Sequence, residues 1–151
     1  MKTLSRRALM VALALATVPA AAQQPDGNQL VVVLHARNPT RSMTSAQLKN
    51  LMLGNVGFWH GVVPVKLFVR PANTPAAQTL FDKVLQLPAT RFNEQWTARQ
   101  LAGQGIAPTI IATPEQVIAE VAKVPGAVGV MLQSEAWSVQ LTGVNVIPLT
   151  N

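Results

Sequence analysis

The residue types best suited to chemistry in this sequence are Arg70 and Thr74. Arg70 ends a predicted β-strand, and Thr74 stands directly before Pro75, at the predicted start of a helix. A guanidinium forms charge-assisted hydrogen bonds with oxyanions, and the backbone N–H groups at a helix start favour negative charge. The spacing therefore predicts an anion-binding site. It also fits a structural arrangement in which Thr74 only caps its helix and Arg70 pairs with a carboxylate, and the sequence leaves both interpretations open.

The residues that usually carry catalysis or hold metals form no recognisable set. His35 and His60 lack the spacing of a metal-ligand motif, and Asp82 and Glu94 fall on the exposed faces of predicted helices. Gly103-Gln104-Gly105 follows a helix and lacks the third glycine of a dinucleotide loop. No serine has the context of a nucleophile elbow. We therefore expect a non-catalytic protein with no metal site and no cofactor.

The first 22 residues have the pattern of a secretory signal. Lys2, Arg6 and Arg7 precede an apolar run over residues 8–18, and Ala20-Ala21-Ala22 supplies small side chains for cleavage. We expect residues 1–22 to be a signal peptide that directs residues 23–151 to the periplasm. The adjacent arginines also fit a twin-arginine signal, so both the general and the twin-arginine export routes stay open.

Charge and cysteine content exclude further classes of protein. Three of the twelve basic residues lie in the signal, and the remaining nine are scattered among six acidic residues. Nucleic-acid binding requires a clustered basic face, so we expect no nucleic-acid partner. The absence of cysteine excludes disulfides and thiolate ligands in the exported domain.

Strands and helices alternate along the rest of the chain. Runs of β-branched and apolar residues predict strands at 30–34, 63–69, 109–112, 127–132 and 144–149. The capping pattern of Thr44 with Gln47, and threonine–proline pairs at Thr74 and Thr113, predict three helix starts. This order predicts an α/β domain of three layers, with a mostly parallel or mixed sheet of four or five strands. Ligands of such sheets bind beyond the carboxyl ends of strands, so we expect the site among the loops 36–44, 70–75 and 133–137.

Several segments together resemble a known family. They are Leu48-Lys49-Asn50-Leu51-Met52-Leu53-Gly54, Trp59-His60-Gly61, the stretch 63–70, and Val124-Pro125-Gly126-Ala127-Val128-Gly129-Val130. The chain resembles the periplasmic phosphate-binding-protein-like family, the substrate-binding components of ABC transporters with a type 2 periplasmic-binding fold. Its two-lobed receptors are longer, so the resemblance implies a shortened, single-lobe relative. The family's anion loop corresponds to Arg70, Asn73 and Thr74, which are thereby implied as ligands of the anion.

The resemblance implies a periplasmic solute-binding-like protein for phosphate or another small oxyanion, linked to ABC-type transport or sensing. Its expected partners are the oxyanion and a membrane transporter or sensor protein. The alternative is a non-catalytic interaction module that docks on such a membrane protein without binding solute. Exposure of Arg70 in a pocket favours the first hypothesis, whereas an exposed apolar patch near Trp59 or Trp137 favours the second.

Overall fold

Residues 26–151 form a six-stranded mixed sheet with helices packed on both faces, together with a separate two-stranded hairpin. The computed structural model describes residues 26–151, and the predicted signal peptide, residues 1–22, lies outside this range. The strands are β1 (Leu30–His35), β2 (Met43–Thr44), β3 (Phe58–Trp59), β4 (Val63–Pro64), β5 (Lys66–Val69), β6 (Thr109–Ile110), β7 (Ala127–Leu132) and β8 (Val144–Thr150). The helices are α1 (Ser45–Met52), α2 (Pro75–Thr79, continuing as a π-helical segment over Leu80–Leu85), α3 (Ala89–Leu101), α4 (Pro114–Lys123) and α5 (Gln133–Ser138).

The main sheet has six strands in the order β2-β8-β1-β7-β5-β6. β1 is antiparallel to both of its neighbours, β7 and β8, whereas β5 is parallel to β6 and β7, and β2 is parallel to β8. The predicted mixed α/β architecture is confirmed. The sheet has one strand more than the sequence indicated, because β2 adds only two residue pairs to β8 and is too short to give a pattern.

The antiparallel arrangement of β1 defines two edges of the sheet. Leu30 pairs with Leu132, and Leu34 pairs with Val128, so β1 begins where β7 ends. We call the edge where β5 and β7 end the Arg70 edge. The opposite edge, where these two strands begin and β1 ends, is called the hairpin edge, because the β3–β4 hairpin immediately precedes β5 there.

Alternate residues of β1 enter two separate hydrophobic cores. Leu30, Val32 and Leu34 pack with α1, α2 and α3 on one face of the sheet. Val31 and Val33 pack with α4 and α5 on the other face. Successive side chains of a strand point to opposite faces, so a central strand covered on both sides is apolar throughout. Within residues 26–151, no helix has the length and apolarity needed to cross a membrane.

All three predicted helix starts are present. Thr44 Oγ1 accepts the Gln47 N–H at 3.1 Å, while Gln47 Oε1 accepts the Thr44 N–H at 2.9 Å, which completes a capping box. Thr74 and Thr113 each accept a backbone N–H of the first turn at 3.3 Å and are each followed by proline. These contacts lie within a few residues of one another, so sequence spacing is enough to specify them.

Two segments differ from the predicted elements. The predicted strand 63–69 is divided, because Val63–Pro64 pairs with Phe58–Trp59 and the Val65 N–H donates to Gly57 O at 2.9 Å. Pairing with the main sheet resumes at Lys66, which lies opposite Ala127. Residues 133–137, predicted as a loop, instead begin the short helix α5.

Candidate functional site

Arg70 follows β5 directly, at the Arg70 edge, and its side chain is buried. The residue is only 8% exposed. Nη1 donates to Glu135 Oε1 at 2.6 Å, and Nη2 donates to the carbonyl oxygen of Ala112 at 3.1 Å. Nε is buried without a hydrogen-bond partner among the described residues. The guanidinium is therefore held by protein groups on two of its three nitrogens.

Glu135 is the partner of Arg70 that the sequence did not identify. It lies in the first turn of α5, where Oε2 accepts the Leu132 N–H at 2.9 Å while Oε1 contacts Arg70. One carboxylate thus satisfies the backbone at a helix start and neutralises a buried cation. A glutamate three residues after the end of a strand is the signal that could have revealed α5, since glutamate favours this position in a helix.

Thr74 and Asn73 lie in the turn that connects β5 to α2. The Thr74 hydroxyl accepts the Ala77 N–H and donates to the carbonyl oxygen of Pro71 at 2.7 Å. It therefore acts as both a hydrogen-bond acceptor and a hydrogen-bond donor within the turn. Asn73 is exposed. Thr74 and Arg70 make the contacts that the sequence offered as the alternative to anion binding. The assignment of Arg70, Asn73 and Thr74 as anion ligands stays a prediction.

The three loops expected to form the site do not converge. The turn 70–75 and the start of α5 meet at the Arg70 edge, as the Arg70–Glu135 contact shows. The loop that begins at Ala36 leaves β1 at the opposite edge, because β1 runs antiparallel to β7. The expectation of a shared edge assumed parallel strands and was wrong for this loop.

A mainly apolar cleft of about 290 Å³ opens beside Arg70. Three aromatic residues, Phe81, Phe92 and Trp96, contribute to its lining and are themselves almost fully buried. The polar lining comes mainly from exposed residues of α3, namely Asn93, Thr97 and Gln100. Because Glu135 pairs with Arg70, an anion that enters the cleft has to compete with this carboxylate for the guanidinium.

The other polar residues considered in the sequence make local contacts. His35 Nδ1 accepts the Arg37 N–H at 3.1 Å, whereas His60 is exposed in the turn of the β3–β4 hairpin. Asp82 and Glu94 are also exposed. Nowhere in residues 26–151 do three or more histidine, aspartate or glutamate side chains gather as a metal site would require.

Comparison with solved structures relates this fold to phosphate receptors. PstS from Borrelia burgdorferi superposes with a TM-score of 0.60 at 14% identity, over 82% of this chain and 48% of that protein. A putative phosphate ABC transporter substrate-binding protein from Clostridium perfringens, solved with bound phosphate, gives a TM-score of 0.60 at 15% identity, over 80% of this chain and 44% of that one. An ABC-type phosphate transport receptor from Vibrio cholerae gives 0.52 at 16% identity, over 80% and 46%.

These similarities concern the fold. No protein-family model matches the sequence, and comparison with curated proteins gives no significant match. The chain spans less than half the length of the solved structures that it matches. The resemblance inferred from the sequence is confirmed at this level: the chain has the α/β fold found in part of phosphate ABC transporter substrate-binding proteins.

Proposed function

We propose that this chain is a non-catalytic, exported solute-binding lobe that recognises phosphate or another small oxyanion at the Arg70 edge. Arg70, Asn73 and Thr74 are the proposed ligands, and the proposed setting is ABC-type transport or sensing in the periplasm. One observation carries the proposal. A guanidinium lies at the end of β5, four residues before the capped start of α2, in a fold shared with a protein solved with bound phosphate.

The Glu135 carboxylate limits the affinity of such a site. An oxyanion that approaches Arg70 must replace this carboxylate or share the guanidinium with it, so it exchanges one anionic partner for another. Glu135 also accepts the Leu132 N–H, and its displacement therefore costs a backbone hydrogen bond. We expect weak binding that becomes tighter when Glu135 loses its charge.

Titration calorimetry with phosphate, sulfate and small carboxylates tests the proposal. Loss of a charge-assisted hydrogen bond costs about 1.5 to 3 kcal/mol, so Arg70→Ala should weaken phosphate binding roughly 10- to 150-fold. Arg70→Lys should restore it only in part, because a point charge does not replace a planar fork. Glu135→Gln keeps an acceptor near Arg70 but removes the competing charge, so it should tighten binding.

A control variant separates the site from the overall charge of the protein. Arg91→Ala removes an exposed cation of α3 whose ion-pair partner in the described part of the chain is Glu94, at 3.4 Å, and it should leave phosphate binding unchanged. Circular dichroism of each variant verifies the fold. Unchanged affinity in both Arg70→Ala and Glu135→Gln would refute the site, and absence of heat with every oxyanion for the wild type and Glu135→Gln would refute the function.

The second candidate is the interaction module, which a separate observation favours. Arg70 is 8% exposed, whereas Trp137 on α5 is 62% exposed at the same edge. A large exposed aromatic side chain is typical of protein contact surfaces. A photoreactive residue at position 137 should then crosslink to a membrane transporter or sensor in the producing cell, while one at exposed position 104 should not. Equal crosslinking at both positions would contradict this candidate.

A further inference from the structure

One stretch of the chain carries basic residues without acidic ones. Between Asp26 and Asp82 there is no acidic residue, whereas five basic residues, Arg37, Arg41, Lys49, Lys66 and Arg70, lie in this stretch. Among the described residues, Arg70 is the only one of the five with a carboxylate partner within 4.0 Å, since the remaining ion pairs are Arg91–Glu94 and Lys123–Glu120. The other four cations are therefore available to an external anionic partner.

Two of these cations are placed near the β3–β4 hairpin by their neighbours in the chain. Lys66 is exposed and follows the hairpin after a single residue. Arg41 is exposed as well, and its neighbours Thr40 and Ser42 line one cavity of about 240 Å³ together with Val56 and Trp59. We call Arg41, Val56, Phe58, Val62 and Lys66 the hairpin surface.

The apolar members of the hairpin surface are exposed although the hairpin is firmly attached. Phe58 is 55% and Val62 is 75% exposed, and Val56 is 40% exposed. The Trp59 indole N–H donates to the carbonyl oxygen of Gly126 at 3.2 Å. The hairpin thus holds apolar side chains out into solvent near two exposed cations that have no carboxylate partner among residues 26–151. The ammonium group of Lys66 lies 5.5 Å from the centroid of the Phe68 ring.

We propose that the hairpin surface binds the anionic surface of a lipid bilayer. Lys66 and Arg41 would contact lipid phosphates while Phe58 and Val62 enter the interfacial region, a combination of charge attraction and apolar burial that is typical of peripheral membrane binding. The shape of the surface favours lipid over an acidic protein. Val62 projects from a turn, so a protein partner would need a pocket of matching shape, whereas lipids rearrange around a projecting side chain. This inference goes beyond oxyanion recognition, which is proposed at the opposite edge of the sheet.

Cosedimentation with vesicles tests the inference on the protein purified after export. The wild type should bind vesicles of phosphatidylglycerol and phosphatidylcholine but not vesicles of phosphatidylcholine alone, and high salt should weaken binding. The double variant Arg41→Ala, Lys66→Ala should weaken it about 30-fold, which corresponds to ~1 kcal/mol for each basic residue. Phe58→Ser with Val62→Ser should weaken it at least about tenfold through loss of apolar burial.

Matched controls lie at the Arg70 edge. Lys83, which lines a cavity with Gln29 and Leu30, provides the charge control Lys83→Ala. Trp137→Ser is the apolar control, since Trp137 is 62% exposed and Phe58 is 55% exposed. The control and test variants are all purified after export and therefore begin at the same residue. Both controls should bind vesicles like the wild type. Absence of binding to anionic vesicles overturns the proposal. Equal binding to neutral vesicles, or equal losses in test and control variants, also overturns it.

Discussion

The Arg70–Glu135 pair leads to the sharpest prediction about stability. Glu135→Ala removes the carboxylate that lies 2.6 Å from Arg70 Nη1 and leaves the carbonyl oxygen of Ala112 as the remaining acceptor of the guanidinium. It also removes the acceptor of the Leu132 N–H. The variant therefore buries an unpaired cation and a backbone donor at once.

The expected cost follows from the burial of the two side chains. Removal of one partner from a buried ion pair costs about 3 to 5 kcal/mol. The Arg70 side chain is 7% exposed, but that of Glu135 is 21% exposed, so water can reach part of the space that Glu135 vacates. We therefore expect Glu135→Ala to lower the free energy of unfolding by about 3 kcal/mol, at the lower end of this range.

Replacement of both partners should cost less than removal of one. In the double variant Arg70→Met, Glu135→Leu, neither charge remains to be desolvated, and apolar side chains of similar size fill the space. The double variant should therefore be more stable than Glu135→Ala by about 1 kcal/mol or more. This order is expected only if the unpaired cation, and not the lost contact area, is the main cost.

Urea unfolding with linear extrapolation measures these free energies. Glu94→Ala is the matched control, because the Arg91–Glu94 pair is 3.4 Å long and its side chains are 73% and 65% exposed. This control should change the free energy of unfolding by less than about 0.5 kcal/mol. If Glu135→Ala lowers the free energy of unfolding no more than Glu94→Ala does, the reasoning about the buried Arg70–Glu135 pair is refuted.

Three further predictions concern other parts of the chain. Thr74→Ala removes the cap of α2 and should cost about 1 kcal/mol in urea unfolding. Gly126→Ala places a Cβ 1.7 Å from the carbonyl oxygen of Pro64 and should cost about 3 kcal/mol, whereas Gly57→Ala, with no atom within 4 Å of the added carbon, should cost far less; equal losses would contradict the close approach. The intact mass of the exported protein should show removal of residues 1–22, and a chain that still begins at Met1 would contradict the predicted cleavage.

Local interactions along the chain were enough to predict three helix starts and the central strand β1. The starts of α1, α2 and α4 followed from threonine caps whose partners lie three residues away. β1 was predicted as a central strand because the apolar residues of 30–34 do not alternate with polar ones, and Val32, Val33 and Leu34 are fully buried. These features depend on interactions within one turn or on the polarity of consecutive residues, and both can be read directly from the chain.

The pairing of these elements, and the side chains that it brings together, depend on contacts between distant parts of the chain. The direction of β1 relative to β7 depends on contacts between residues about a hundred positions apart, such as Leu30 and Leu132. The residues of either strand alone do not indicate whether the two pair in parallel or antiparallel. The partner of Arg70 could not be predicted from the sequence either. Glu135 lies 65 residues further along the chain. Any of six carboxylates could pair with any of the nine arginines and lysines of the exported domain, so the sequence does not specify the pair. Which carboxylate reaches the guanidinium is set by the parallel pairing of β5 with β7, since it places the residues that follow both strands at one edge of the sheet.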